Sequence, residues 1–298
     1  MENNGIILSG TGGLYTVLLE DKKLLRCKAR GLFRIKGVSP LAGDNVTIRY
    51  TSGEEKGYFI EKILPRKTEL SRPPVANIDT VFITLSVSSP APNLFYTDKL
   101  ICSAANSGIT PVIVITKTDI SEDTASELEK IYSPAFDVFP VSAENGSGIL
   151  SLLDFIKEKT RICAFAGASG VGKSSLINSL FPEFSQKTGS LSARADRGKH
   201  TTRTVSLLPT NLGIFVADTP GFTMLDLDGQ VISDFDNLPY MFPEFENYFG
   251  KCKYRGCTHI KEEGCAVIDA VNHGLIAHSR HESYVTLFLQ GKNFSKKG

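Results

Sequence analysis

Gly167-Ala168-Ser169-Gly170-Val171-Gly172-Lys173-Ser174, followed by Ser175, has the spacing GxxxxGK[ST]. Glycines so placed let backbone N–H groups close on phosphate oxygens. An apolar stretch precedes them (RICAFAG, 161–167) and SSLINSLF follows. The loop is therefore predicted to join a strand to a helix whose N-terminus favours anions. Lys173 is the candidate for the β and γ phosphates, and the Ser174 hydroxyl for Mg²⁺. Asp218-Thr219-Pro220-Gly221 follows a second apolar run. Asp218 there can hold Mg²⁺ through water, and the Gly221 N–H can meet a γ-phosphate. Thr116-Lys117-Thr118-Asp119 ends a third apolar run and is a variant of NKxD with threonine for asparagine. The Asp119 carboxylate can accept two hydrogen bonds from guanine that adenine cannot supply. Lys117 can pack along base and loop, and Ser142 with Ala143 would complete the base pocket.

Between the loop and Asp218 lies Gly198-Lys199-His200-Thr201-Thr202-Arg203. Thr202, or Thr201 beside it, is the candidate γ-phosphate and Mg²⁺ ligand. Arg194, Arg197, Lys199 and Arg203 make the segment basic. Phe222 follows Gly221, where many GTPases carry a water-orienting glutamine. Phenylalanine cannot orient water, so slow intrinsic hydrolysis is expected, and His200 is the candidate for that task.

Cys252, Cys257, His259 and Cys265 form a C-x4-C-x-H-x5-C cluster. Three thiolates and an imidazole predict one closed, structural, tetrahedral Zn²⁺ site. Cys27, Cys102 and Cys163 lie in apolar segments and read as buried free thiols. His273, His278 and His281 read as helix-surface residues.

These groups need elements to hold them. Residues 1–68 show short strand-like runs (GGLYTVLLED, KLLRCKARG, DNVTIRY, GYFIEKIL) separated by Gly, Pro or Asp, which predicts a small β-barrel of the OB type. Arg72-Pro73-Pro74 marks a boundary, since proline suits neither helix nor central strand. From 79 to 217 apolar runs alternate with helical stretches, the pattern of an α/β sheet covered on both faces. Beyond 222 the chain turns polar and helical, with helices expected to stop at Gly274 and Gly291. The expected architecture is multidomain α/β: an OB-fold barrel (1–68), a P-loop GTPase domain (69–222) and a mostly helical zinc domain (223–298). The base motif precedes the phosphate loop, so the GTPase domain is expected to be circularly permuted.

With 41% hydrophobic and 22% charged residues among 298, the chain is neither collagenous, disordered nor a coiled coil. No apolar run approaches the roughly 18 residues of a membrane span. The N-terminus lacks a basic region before its apolar patch, and a cytoplasmic protein is expected. The net charge of +1 hides a pattern. Residues 1–68 hold 12 Lys+Arg against 7 Asp+Glu, whereas 69–185 hold 8 against 13. Seven cations between Lys22 and Lys36, with no acid among them, supply the local density that phosphate backbones require. Lys251, Lys253, Arg255 and Lys261 form a second basic group around the cysteine cluster.

Taken in order, the basic barrel, RPPVANID, TKTD, GASGVGKSS, GRGKHTTR, DTPGF and the cysteine cluster resemble the RsgA (YjeQ/YloQ) family. Its members are circularly permuted GTPases of bacterial small-ribosomal-subunit biogenesis. The resemblance implies binding of the 30S subunit and its 16S rRNA, late maturation of that subunit, and GTP hydrolysis to GDP and phosphate stimulated by it. It also implies GTP held by Thr116 to Asp119 and Gly167 to Ser175, and zinc held by the three cysteines and His259. Three distinct domains without an exposed apolar helix predict a monomer. Two other classes fit less of the pattern: a nucleotide-gated RNA-binding module with incidental hydrolysis, and a permuted GTPase acting on a translation factor.

Overall fold

The computed structural model describes residues 2–35, 37–52, 56–71, 73–185, 205–218 and 237–295. Strands β1 (Glu2–Thr11), β2 (Leu14–Leu19), β3 (Leu24–Ala29), β4 (Asn45–Thr51) and β5 (Gly57–Ile63) close into a barrel in the order β1-β2-β3-β5-β4. β1 pairs antiparallel with both β2 and β4, and β3 pairs parallel with β5. This closed five-strand arrangement is of the OB type. Ile7, Val17, Cys27, Val46, Ile48 and Ile60 fill it and are fully buried. The opening residues form β1, a strand the sequence reading did not predict. Its apolar residues Ile6, Ile7 and Leu8 come as a block, and a register shift between Ile7 and Ser9 breaks the alternation. The basic run is not one strand face. It spans the β2–β3 turn, β3, and the short helix α1 (Gly31–Ile35). Arg26 and Lys28 point outward from β3 while Cys27 points in, as the two-residue period requires.

A hairpin follows, β6 (Glu69–Ser71) and β7 (Pro74–Ala76), with Pro74 opening its strand, where the missing N–H costs least. Then come β8 (Thr80–Ser86), α2 (Leu94–Asn106), β9 (Thr110–Thr116), α3 (Glu122–Tyr132), β10 (Val138–Pro140), α4 (Ile149–Lys159), β11 (Ile162–Ala166), α5 (Lys173–Leu180), α6 (Pro182–Ser185), β12 (Ser206–Pro209) and β13 (Phe215–Asp218). Six strands make one sheet in the order β10-β9-β8-β11-β13-β12, parallel except for β12. Every residue of β8 and β11 is buried, the signature of a sheet covered on both faces. Val81, Ile83 and Leu85 of β8 share a core with Leu100 of α2 and Leu128 of α3. Phe82 faces the other way, into a core with Leu152 and Ile156 of α4 and Leu176 of α5.

The C-terminal region has 3-10 turns at Leu238–Met241 and Pro243–Tyr248, then α7 (Ala266–Asn272) and α8 (His278–Ser295). Gly291 does not end the last helix, contrary to expectation. A mid-helix glycine costs only about 1 kcal/mol relative to alanine. Gly291 is buried, and α8 gains more than that by packing Tyr284, Leu287 and Phe288 into the core.

Candidate functional site

β8, β9, β10 and β11 run parallel, so their C-terminal ends lie along one edge of the sheet, where open α/β sheets bind ligands. The phosphate loop leaves β11 there. Gly167 has φ +139 and an added Cβ would meet the Thr84 carbonyl oxygen at 2.2 Å, so only glycine lets the loop turn this close to β8. Gly172, at φ +98, enters α5 with no side-chain cap, leaving the first helical N–H groups for a ligand. The Lys173 ammonium folds back over the loop and donates to the carbonyls of Gly167 (2.8 Å) and Ala168 (2.6 Å). Burial lowers its pKa. Ser169, Gly170, Ser174 and Ser175 are exposed, and Val171 anchors the loop with 4% exposure.

β9 delivers the base motif to the same place. Thr116 is buried and its hydroxyl meets the carbonyls of Leu85 (3.1 Å) and Val171 (2.5 Å). Lys117 turns through φ +60, and its ammonium donates to the carbonyls of Ser89 and Gly170, the latter at 2.9 Å. Thr118 N–H reaches the Val141 carbonyl. Ser142, fully buried, donates to the Asp119 carboxylate and accepts from the N–H groups of Glu144 and Asn145. The hydroxyl thereby aims one carboxylate oxygen of the exposed Asp119 side chain. Thr116, Lys117, Asp119, Ala143, Gly172 and Ser175 line a cavity of about 300 Å³, the size of a small ligand pocket. Ile120 and Glu144 also line it. Sequence reasoning missed both; their positions directly after the base motif and after Ser142-Ala143 were the available signal.

Asp218 ends β13, the neighbour of β11 in the sheet. Thr202, His200, Gly221, Phe222 and the cations Arg194, Arg197, Lys199 and Arg203 lie outside the described residues.

The cysteine cluster gathers as the spacing predicted. One donor atom each from Cys252, Cys257, His259 and Cys265 lies within 4.8 Å of the others. His259 Nδ1 is 3.6 Å from Cys252 Sγ and 3.3 Å from Cys265 Sγ, and those two sulfurs are 3.9 Å apart. Tetrahedral Zn²⁺ with ordinary bond lengths puts sulfurs about 3.8 Å apart and nitrogen about 3.5 Å from sulfur, so the four donors fit the ion. Burial lowers the His259 pKa, favouring the neutral ring a metal needs. The cradle is braced from outside. Phe249 stacks on the His259 ring at 5.9 Å, and Tyr284 donates to the Thr258 carbonyl at 2.7 Å. The His281 ring Nε2 lies 2.7 Å from the His259 carbonyl. His281 is thus no plain surface residue, unlike the exposed His273 and His278. Glu262 accepts from the Thr258 hydroxyl and from the N–H groups of Thr258, Ile260 and Lys261. No sequence signal marked Glu262.

The RsgA GTPase family matches residues 63–228, and the RsgA N-terminal domain family matches residues 4–59. A protein of Ruminiclostridium cellulolyticum named small ribosomal subunit biogenesis GTPase RsgA is 39% identical over 95% of this chain and 92% of its own length. One of the same name from Caldanaerobacter subterraneus is 40% identical over 98% and 97%. The crystal structure of YjeQ from Thermotoga maritima superposes with a TM-score of 0.81 at 34% identity, covering 98% of this chain and 99% of that one. YloQ, described as a circularly permuted GTPase, superposes with a TM-score of 0.79 at 31% identity, covering 98% and 96%. With its barrel, its sheet in permuted order and its cysteine cluster, the chain belongs to the RsgA family and is a circularly permuted GTPase.

Proposed function

We propose that the chain binds the small ribosomal subunit through its 16S rRNA and assists late maturation of that subunit, hydrolysing GTP to GDP and phosphate when docked. The reading is carried by one observation. The phosphate loop and the base motif share one sheet edge, and Thr116 and Lys117 bond directly to the loop. It is supported by relatives named for small-subunit biogenesis. In this reading the units are 1–68 for RNA, 69–222 for GTP and 223–298 for zinc. The protein acts as a cytoplasmic monomer.

In the proposed mechanism, Asp119 takes the guanine N–H groups, and Ala143, whose N–H bonds no other described group, offers a donor to the guanine oxygen. Residues 167–175 cradle the phosphates. Lys173 leaves the carbonyls of Gly167 and Ala168 for the β and γ phosphates, where its charge gains most as negative charge develops. Ser174, Thr202 and Asp218 would hold Mg²⁺, which neutralises charge between the β and γ phosphates when bound. Water attacks the γ-phosphate, with His200 assigned to position it and the Gly221 N–H assigned to that phosphate by its place in the sequence. Phe222 cannot orient the water, so the free protein is slow and docking completes the site.

The test is GTP hydrolysis by the protein alone, with small subunits and with large subunits. A large rise with small subunits only is expected. No rise with either overturns subunit-activated hydrolysis in favour of a nucleotide-gated RNA binder. A rise that persists when the cations at 22–36 are neutralised points to a different target.

A further inference from the structure

The Thr116 hydroxyl carries one proton, and both of its neighbours are carbonyl oxygens, which cannot donate. Thr116 is 4% exposed, so water does not take that proton either. The hydroxyl closes the end of β9 onto β8 at Leu85 and onto the phosphate loop at Val171, 55 residues later. Strand and loop are in direct contact here: a Cβ added at Gly172 would lie 3.8 Å from the Thr116 hydroxyl oxygen. Lys117 makes a parallel tie to the Gly170 carbonyl. The base motif is thus stitched to the phosphate loop by two consecutive side chains.

Guanine presents N7 as an acceptor on the edge beside its O6. Reading N7 takes a donor. An asparagine carboxamide has two N–H groups, enough for a loop carbonyl and N7 together. Threonine has one, and turning it to N7 would give up a buried hydrogen bond to Val171. We infer that Thr116 is a positioning residue for the phosphate loop that donates no hydrogen bond to the base, so this pocket selects guanine through Asp119 and leaves N7 unread. This rests on the guanine-pocket reading above.

The experiment measures dissociation constants of GDP, 7-deaza-GDP and ADP for the full-length protein and three variants. In 7-deaza-GDP a C–H replaces N7, and every other polar group is kept. For the wild type, GDP and 7-deaza-GDP are expected to bind within about two-fold of each other. Thr116→Val keeps the shape and loses the proton. It should weaken both nucleotides by about five-fold, the worth of one hydrogen bond, and leave their ratio unchanged. Thr116→Ser restores the hydroxyl and should restore both affinities, which a general loss of packing would not. Thr116→Asn should prefer GDP over 7-deaza-GDP by about five-fold. The inference is overturned if the wild type itself discriminates against 7-deaza-GDP, or if Thr116→Val binds both nucleotides as tightly as the wild type. ADP binding as tightly as GDP in the wild type would instead overturn the guanine-pocket reading.

Discussion

The Arg280 guanidinium, on the last helix, lies 2.5 Å from the Asp98 carboxylate on the helix that follows β8, 182 residues earlier. Its Nε donates to Glu244 at 2.7 Å, and its charge sits over the Phe242 ring at 4.6 Å. Arg280 is 1% exposed and Asp98 fully buried. The region that holds the cysteine cluster is thereby joined to the nucleotide-binding sheet through a charge network sealed from water. α2 begins shortly after Ser89, whose carbonyl Lys117 grips, so one continuous segment runs from the base motif's tether to the Arg280 anchor.

Removing one side of this network strands the others in a medium that cannot solvate them. Arg280→Ala should lower unfolding stability by about 3–5 kcal/mol. Denaturant unfolding at neutral pH checks this. A loss under 1 kcal/mol would mean that water enters and the pair carries little.

In the proposed base pocket Asp119 takes guanine N–H groups that adenine cannot supply, and Ser142 holds its carboxylate in place. Asp119→Asn should weaken GDP binding by roughly a hundred-fold, since two charge-assisted hydrogen bonds become mismatched, and should favour xanthine nucleotides. Titration with GDP and XDP decides it. Unchanged GDP preference would move the base site elsewhere.

Burial pushes the Cys27 thiol up to about 11 and the Cys102 thiol up to about 12, and raises Cys163 as well. All three should resist alkylation at pH 8 in the folded protein, because the thiolate is the reactive form. With zinc bound, Cys252, Cys257 and Cys265 should resist too. Chelation should release one zinc per chain and expose these three sites to iodoacetamide, read by mass spectrometry. Labelling of any cluster cysteine without chelation would argue against a closed site.

Burial works against the Glu262 carboxylate, yet hydrogen bonds from Thr258, Lys261 and Ile260 hold its pKa down to about 2, below the ordinary 4.5. A depressed carboxylate stabilises the fold fully above its unfolded pKa, and that contribution fades as pH falls from 4.5 toward 2. Glu262→Gln should cost about 1–2 kcal/mol at pH 7, the full shift being discounted for residual solvent. The gap between variant and wild-type melting temperatures should hold steady above pH 5 and close below it. A gap that widens on acidification would contradict the assignment.

The chemistry-bearing motifs were legible in the chain because their signals are local. A phosphate loop is a run of glycines before a helix start, and a zinc cradle is a spacing of soft ligands. The alternation of apolar strands and helices likewise announced a two-sided sheet, since burial on both faces forces continuous apolar runs such as β8. Four things lay beyond that reach. β1 hid because a register shift spoils its two-residue period. Gly291 misled because a stop signal of about 1 kcal/mol loses to the packing of a whole helix. Thr116 read as a threonine variant within the guanine motif, and only the fold brings Val171 to its hydroxyl. The same holds for Arg280, Asp98 and Glu244, far apart in sequence and individually unremarkable as charged residues. What a residue can do chemically is written in its type and near neighbours. What it is bonded to, across 55 or 182 positions, is decided by how the sheet and the last helix pack.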